Sequence, residues 1–305
     1  MKWTRRDVVL GLPTLMAFNL IGCTAKTTAA TNDETAATAE TDKKASGATK
    51  ITAAEILNGY AFTSTVADEN AVLVNTADEV TISNSTVDKT GDSDGGDNCN
   101  FYGQNAAVLV EGGSTTTLTN LTVTSDAKGA NGIFSYGGNG GHNGGDGDGT
   151  KVVIKDSIIT TTGDGAGGTM TTGGGITNAS NLTITTNGQS SAAIRTDRGG
   201  GTVYVDGGTY TSNGLGSPAI YSTAEIHVAN AALVSNLSEG VCIEGLNSIE
   251  LTDCDLTANN TKCNGNATFM DTIMIYQSMS GDAASGNSTF AMTGGSLTSK
   301  NGHMF

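Results

Sequence analysis

Four side chains of different chemistry recur directly after an isoleucine in the second half of the chain. They are Arg195, Tyr221, Glu244 and Tyr276. If the isoleucines point into a core, these four residues point outward as one ladder on neighbouring strands, about 4.8 Å apart. Tyrosine rings stack on sugars or chain segments, while arginine and glutamate make directed hydrogen bonds. The ladder is therefore a candidate ligand-binding surface. The alternative is a stabilising ladder in which Arg195 rests over Tyr221.

Two acidic, glycine-rich segments are candidate calcium loops. The first contains Asp92, Asp94 and Asp97, and the second contains Asp146 and Asp148. Carboxylates that are spaced by glycine can direct several oxygen ligands at a hard cation. Neither segment matches an EF-hand, and position twelve of the first is Gly103 rather than glutamate. The second misses the tandem nonapeptide calcium pattern by one residue and does not recur. We therefore expect weak calcium binding at most, and a solvated loop is the alternative.

A repeated pair of apolar residues defines the elements that must position these side chains. In eight copies, the two residues lie five positions apart and flank a turn rich in glycine, asparagine, aspartate or serine. Apolar and polar residues alternate on both sides of the turn, which is typical of strands with one buried face. The pairs are Ile82/Val87, Leu118/Val123, Ile154/Ile159, Ala179/Ile184, Val205/Tyr210, Val228/Leu233, Leu251/Leu256 and Met292/Leu297.

A third apolar residue opens each repeat. These residues are Val108, Ile133, Met170, Ile194, Ile220, Ile243 and Ile275. Three short strands per repeat, stacked by equivalent position, predict an all-β fold, a right-handed parallel β-helix of about eight coils. We assign residues 71–305 to this helix and residues 51–70 to its N-terminal cap. Stacking is needed because a single coil cannot bury its own apolar edge.

Three segments that each open a coil resemble a known class of surface protein. Residues 191–203, 217–223 and 274–278 are similar to segments of bacterial adhesin-like, right-handed β-helix-repeat surface lipoproteins, whose fold is pectin-lyase-like. The resemblance covers residues 60–305. It implies exposure at the cell surface and a role in binding or adhesion, with a carbohydrate or another surface polymer as the ligand. A passive structural protein of the envelope is an alternative.

The pectin-lyase-like fold also implies an enzymatic alternative, a lyase or hydrolase that cuts acidic polysaccharides. The lyases use acidic groups around Ca²⁺ with an arginine base, and the hydrolases use aspartates on neighbouring rungs. Beyond the leader, this chain has only Arg195 and Arg198, and it lacks the Gly-His-Gly and Asp-Asp motifs of the hydrolases. A fold alone does not confer an activity. We therefore expect a binding protein without catalytic residues, and no cofactor other than weakly bound calcium.

The N-terminus has the pattern of an exported lipoprotein. A lysine and two arginines precede an apolar stretch at residues 8–21, which is too short to span a bilayer and is typical of a signal peptide over residues 1–22. Residues 20–23 resemble a lipobox, which implies that Cys23 becomes the lipidated N-terminus. The leader also resembles a twin-arginine signal, and general secretory export is the alternative. We expect a membrane-anchored protein at the bacterial cell surface.

Composition narrows the partners further. Residues 23–50 contain almost no large apolar side chain, so we expect a disordered Thr/Ala-rich tether. The chain has 15 basic and 30 acidic residues, and its formal net charge is −15. Nucleic-acid binding requires clustered lysine and arginine, so this balance argues against it. The three histidines lie far apart in the sequence, so we propose no zinc site.

The four cysteines beyond Cys23 fall into two groups. Cys99 follows the first coil, whereas Cys242, Cys254 and Cys263 belong to the seventh. Six rungs separate the groups, roughly 29 Å, which is too far for a disulfide bond. A disulfide within the second group stays open.

The C-terminal coil is expected to be uncovered. The chain stops as a ninth coil would open and shows no polar cap, so we expect a truncated helix. The last coil contains Ile275, Met292 and Leu297, and the tail ends in Met304 and Phe305. Unpaired strand edges template association with another chain. We therefore expect end-to-end self-association through this coil.

The lipobox generates a direct prediction. Cys23→Ala should move the protein from the membrane fraction to the soluble fraction, because the acylated residue is lost. Cys263→Ala is the matched control and should leave partitioning unchanged. Membrane fractionation of the two variants tests whether the anchor is at Cys23. A Cys23→Ala variant that stays in the membrane fraction would show that the anchor lies elsewhere.

Overall fold

The computed structural model of the protein describes residues 45–140, 145–263, 267–277 and 283–305. The predicted signal peptide, Cys23 and residues 24–44 of the predicted tether lie outside these residues. The described chain is a parallel β-helix, as predicted, in which nine coils each contribute strand to three sides. Among the described residues, no helix has the length and apolarity needed to cross a bilayer.

The strands follow one another in a regular order. Coils 1 to 3 contain β1 (Gly47–Ile51), β2 (Glu55–Asn58), β3 (Ala61–Ser64), β4 (Asn70–Asn75), β5 (Glu79–Ser83), β6 (Thr86–Thr90), helix α1 (Asp97–Phe101), β7 (Val108–Glu111), β8 (Thr115–Thr119) and β9 (Thr122–Asp126). Coils 4 to 6 contain β10 (Ile133–Tyr136), β11 (Lys151–Lys155), β12 (Ile158–Thr161), β13 (Thr169–Thr172), β14 (Gly175–Thr186), β15 (Ile194–Thr196) and β16 (Gly201–Ser212). Coils 7 to 9 contain β17 (Ile220–Ser222), β18 (Glu225–Ala229), β19 (Ala232–Ser235), β20 (Val241–Glu244), β21 (Ser248–Thr252), β22 (Asp255–Asn259), β23 (Ile273–Tyr276), β24 (Thr289–Thr293) and β25 (Ser296–Asn301).

Two parallel sheets form the three sides. The first side is a nine-stranded sheet in the order β1-β4-β7-β10-β13-β15-β17-β20-β23. The second side runs from β2 to β24 and the third from β3 to β25. These two sides form one sheet because β14 and β16, at 12 residues each, continue from one side to the other. The pairs within both sheets are parallel.

The predicted apolar pairs stack as two continuous ladders inside the helix. Leu118 lies beside Ile154 and Val123 beside Ile159, and all four side chains are fully buried. The same register continues to Met292 and Leu297 in coil 9. Each rung therefore removes apolar surface from water on both faces, at about 25 cal/mol per Å².

The structure has one coil more than the eight predicted. Leu57 and Phe62 are also five positions apart, and they pair with Ile82 and Val87 of the next coil. Strand β1 begins at Gly47, so the helix starts earlier than the predicted boundaries of tether and cap. The polar segment that precedes this coil hides the pair from a reading of composition alone.

A column of asparagine and aspartate side chains, joined by hydrogen bonds from coil to coil, stabilises the turn between the second and third sides. Asn84, Asn120, Asp156 and Asn181 occupy it with positive φ, a conformation that asparagine and aspartate tolerate well. The Asn120 amide donates to Asn84 Oδ1 at 2.6 Å, and the Asn181 amide donates to Asp156 Oδ1 at 2.7 Å. This column explains why the turn residues are polar while the flanking pairs are apolar.

One buried charge interrupts the interior of the third side. Most residues at this inward position are serine or threonine, and Lys89 takes the place in coil 2. Its ammonium group donates to the carbonyls of Val66 at 3.0 Å and Gly91 at 3.2 Å. Burial lowers the pKa of Lys89, because the charged form is costly to desolvate.

An insertion covers part of the outer face of the first side. Leu109, Phe134 and Met170 point outward there and are fully buried in a second apolar cluster. The Thr172 hydroxyl donates to the carbonyl of Phe101, which ties α1 to this face. The sequence analysis placed Met170 inside, which is wrong, because Thr169 takes the interior position beside Ile133 and Ile194.

Coil 9 has more exposed apolar surface than the coils before it. Phe290, Met292 and Leu297 are only partly buried, and Ile275 is 46% exposed. Phe305 is 70% exposed. Self-association through this coil stays a prediction.

Two adjacent isoleucines test the stacking directly. Ile159 points inward and is fully buried, whereas Ile158 points outward and is 51% exposed. Ile159→Ala should lower the free energy of unfolding by about 2–4 kcal/mol, since it leaves a cavity. Ile158→Ala should change it by less than about 0.5 kcal/mol. Denaturant titration of both variants checks this, and equal effects would contradict the observed facing of β12.

Candidate ligand-binding site

The four residues of the predicted ladder all point outward from the first side, but they do not share one column. Arg195 pairs with Tyr221, whereas Glu244 pairs with Tyr276 two positions further along the strands. Cys242 takes the place beside Tyr221. The predicted single column is therefore wrong. The reason is that the isoleucines before Glu244 and Tyr276 belong to a different inward column from those before Arg195 and Tyr221.

The four side chains nevertheless meet in a buried polar cluster. The Tyr221 hydroxyl donates to Glu244 Oε2, and the Tyr276 hydroxyl donates to the same oxygen at 3.1 Å. Arg195 lies 5.9 Å from the centroid of the Tyr221 ring and forms a 2.7 Å ion pair with Asp197. Glu244 is only 2% exposed. This cluster joins neighbouring coils, as the stabilising alternative predicted, and presents little surface to a ligand.

Burial keeps the two tyrosines of this cluster and the neighbouring Cys242 protonated. It raises the pKa of Tyr221 and of Tyr276, and the carboxylate of Glu244 adds to both shifts. Burial likewise raises the pKa of Cys242, with Glu239 as the next cause. Because the thiolate is the reactive form of cysteine, Cys242 is held in its unreactive state.

The first acidic loop is tied to Lys128 of the neighbouring coil. Asp92 accepts a 2.8 Å hydrogen bond from the backbone of Lys128, and Asp94 lies 3.4 Å from its ammonium group. Asp97 begins α1 and is exposed. The Asp92 hydrogen bond ties the loop to the next coil, whereas the exposed Asp94–Lys128 pair adds little to its stability.

The second acidic loop lies on the opposite corner of the helix. Asp148 Oδ1 accepts hydrogen bonds from the backbone and hydroxyl of Thr150, at 2.9 and 2.6 Å, which closes the loop. Asp146 is exposed beside a groove. Within the described ranges, no three histidine, cysteine or acidic side chains converge as metal ligands. The calcium site stays a prediction.

The four described cysteines are free thiols. Cys99, Cys242 and Cys254 are buried, and Cys263 is partly exposed. Cys242 faces outward on the first side, whereas Cys254 lies in the turn between the second and third sides. The second group therefore contains no disulfide bond in this structure.

A different column, which the sequence analysis did not select, is open to solvent. On the second side, Asn178, Tyr204, His227 and Glu250 face outward in register on four successive coils. We call these four residues the Tyr204 column. Tyr204 is 48% exposed, so an aromatic ring stands in the open on a flat sheet. The column spans about 14 Å along the helix, at about 4.8 Å per coil.

Contacts within the Tyr204 column hold its rings in place. The rings of Tyr204 and His227 stack at 5.1 Å between centroids, with 13° between their planes. His227 Nε2 lies 2.6 Å from Glu225, and Nδ1 lies 3.1 Å from Glu250. A stacked ring pair braced at both imidazole nitrogens is a preorganised surface, so binding a ligand there would cost little ordering entropy.

Two shallow grooves lie at the column, one formed by its own side chains and one beside it. One, of about 440 Å³, is lined by the whole Tyr204 column together with Asp206, Ala229 and Thr252. The other, of about 420 Å³, is lined by Glu225, Asp146 and the backbone of several glycines. Asn178 lines the first groove, and its Oδ1 is buried without a hydrogen-bond partner among the described residues.

A sequence signal for this column was available. Its members directly precede the first residue of each apolar pair, as Tyr204 precedes Val205 and His227 precedes Val228. Alternation along a strand then requires that they face outward. The same rule at the position after the opening isoleucine selected the buried cluster instead, because alternation shows which side chains face outward but not which of them are covered.

Comparisons of the chain with protein-family models, with curated proteins and with solved structures found no match. The fold and the site therefore define the class of the protein by geometry alone, as a parallel β-helix with an exposed aromatic column. The adhesin-like and pectin-lyase-like resemblance stays a prediction.

The buried tyrosine cluster predicts alkaline destabilisation. Above pH about 10 an unfolded tyrosine loses its proton, whereas folded Tyr221 keeps it. The folded state then binds more protons, so the free energy of unfolding should fall by about 1.4 kcal/mol per pH unit for this group, while below pH about 10 nothing is lost.

Tyr221→Phe should flatten this fall between pH 10 and 11. Tyr60→Phe is the matched control, since the Tyr60 ring is 51% exposed. Urea unfolding at a series of pH values gives the slopes. Equal slopes in the wild-type protein and in Tyr221→Phe would contradict the proton retention.

Proposed function

We propose that the protein binds a carbohydrate chain through the Tyr204 column and displays this site at the bacterial surface from a lipid anchor at Cys23. The observation that carries the proposal is the half-exposed Tyr204 ring, stacked on His227 in a groove on a flat sheet. An exposed aromatic ring on a strand offers an apolar surface on which the C–H faces of a sugar can pack.

Polar groups beside the rings support a sugar rather than an apolar ligand. Glu225, Glu250 and Asp206 offer carboxylate acceptors along the groove, and Asn178 offers an amide. Sugar hydroxyls both donate and accept hydrogen bonds, so they match this mixture. The repeat of about 4.8 Å along the column favours a linear chain that meets equivalent positions on successive coils.

The contacts of the two arginines give less support to the alternative of a polysaccharide lyase or hydrolase. Arg195 is held by Asp197 at 2.7 Å, and the Arg198 guanidinium lies 3.9 Å from the centroid of the Phe101 ring. An arginine base must instead be within reach of a bound substrate. Release of unsaturated or reducing ends from a bound polysaccharide would favour the lyase or hydrolase.

A glycan array on the described body tests the proposal. Residues 45–305 should retain at least one glycan, and Tyr204→Ala should weaken that binding about tenfold, since about 1.4 kcal/mol of ring contact is lost. Tyr60→Ala removes an exposed ring from coil 1 and is the matched control. Retention that is unchanged in Tyr204→Ala would refute the site, and no retention by the wild-type protein would favour a passive structural role.

A further inference from the structure

The charge of the site selects among carbohydrates. The outward positions of the second side in coils 5 to 8 hold three carboxylates, those of Asp206, Glu225 and Glu250. None of these twelve positions, all in described strands, is lysine or arginine. They are Ile176, Asn178, Ser180, Thr202, Tyr204, Asp206, Glu225, His227, Ala229, Ser248, Glu250 and Thr252.

The neighbouring groove adds to this negative charge. Asp146 lines it together with Glu225, and both side chains are exposed. The nearest basic residues of this side are Lys151 and Lys155 in coil 4, beyond the Asn178 end of the column. His227 lies between two carboxylates, so even its protonated form leaves the surface with net negative charge.

We propose that the ligand is a polymer of amino sugars whose amines are free and positively charged. The inference rests on the proposed function, and it adds the charge class of the sugar. An acidic polysaccharide would be repelled by the carboxylates around Tyr204, whereas an ammonium group would pair with them. The part of the Tyr204 ring that His227 leaves uncovered contacts the sugar, and aromatic faces also attract cations.

The carboxylates of Glu250 and Glu225 determine where the ammonium groups of the ligand would bind. Glu250 Oε2 is 3.1 Å from His227 Nδ1, so its second oxygen remains for a ligand cation, and Glu225 Oε1 engages Nε2 from the other side. Exposed ion pairs of this kind contribute up to about 1 kcal/mol, or about fivefold in affinity, each. The gains in affinity from several ion pairs along one chain multiply, so the preference for a charged chain over a neutral one should reach tenfold or more.

Matched oligosaccharides test the proposal by calorimetry at mildly acidic pH and low ionic strength. The probes are a hexamer of β-1,4-linked glucosamine and its fully N-acetylated counterpart, which has the same backbone without the charge. Glucosamine hexamer should bind at least tenfold more tightly, and salt should weaken its binding alone. Glu250→Gln and Glu225→Gln should each weaken it about two- to fivefold and weaken the acetylated hexamer less, since the amide keeps a hydrogen-bonding oxygen but loses the charge.

Glu79→Gln is the matched control. Glu79 is exposed in the same outward column as Glu225 but five coils away, about 24 Å, which is beyond the screening length of about 10 Å at 0.1 M salt. It should leave the affinity for both hexamers unchanged. Far-UV circular dichroism and the melting temperature of the Glu250→Gln variant, compared with the wild-type protein, report whether its fold is intact.

The results that would overturn the inference are distinguishable. Equal or tighter binding of the acetylated hexamer, or of polygalacturonate, with loss of binding in Tyr204→Ala, would keep the carbohydrate site and reject the cationic ligand. Tighter binding of the glucosamine hexamer that is unchanged in Tyr204→Ala would reject the proposed site together with the inference, and no binding of the glucosamine hexamer would reject the inference alone.

Discussion

The in-register stacking of apolar side chains inside the coils is the interaction on which the rest of the structure depends. Each coil exposes an apolar edge that only the next coil can cover, as Val123 covers Ile159 and Ile159 covers Ile184. Backbone hydrogen bonds between parallel strands fix the same alignment on all three sides. Because inward residues are aligned, outward residues are aligned as well, and every outward position becomes a column along the helix.

The insertions between strands decide which columns are available. The segment around α1 lies over the first side and buries Leu109, Phe134 and Met170. On the second side, Tyr204 and its neighbours stand free beside two grooves. The same repeat therefore supplies a sealed polar cluster around Glu244 on one side and an open aromatic surface on another. The buried cluster on the first side joins neighbouring coils, whereas the second side offers the exposed surface proposed for binding.

The elements of this fold could be predicted because they depend on local spacing. Apolar residues five positions apart predicted the strands, the turns and the stacking, and Leu57/Phe62 follows the same rule in the coil that was missed. The outward facing of Arg195, Tyr221, Glu244 and Tyr276 was also predictable. Their burial and the two-residue offset between the pairs were not, since both depend on contacts between distant segments. Tyr204 could have been found from its place before Val205.

Protection of side chains by a bound oligosaccharide tests directly whether the Tyr204 column is the binding surface. Hydroxyl-radical footprinting reports the solvent access of individual tyrosine and histidine rings, with and without a saturating oligosaccharide. Tyr204 and His227 should become protected together, while Tyr60, which is as exposed as Tyr204 but lies in coil 1, should keep its reactivity. Protection of Tyr60 alone, or unchanged reactivity of Tyr204 and His227 under a ligand that demonstrably binds, would contradict the proposed binding surface.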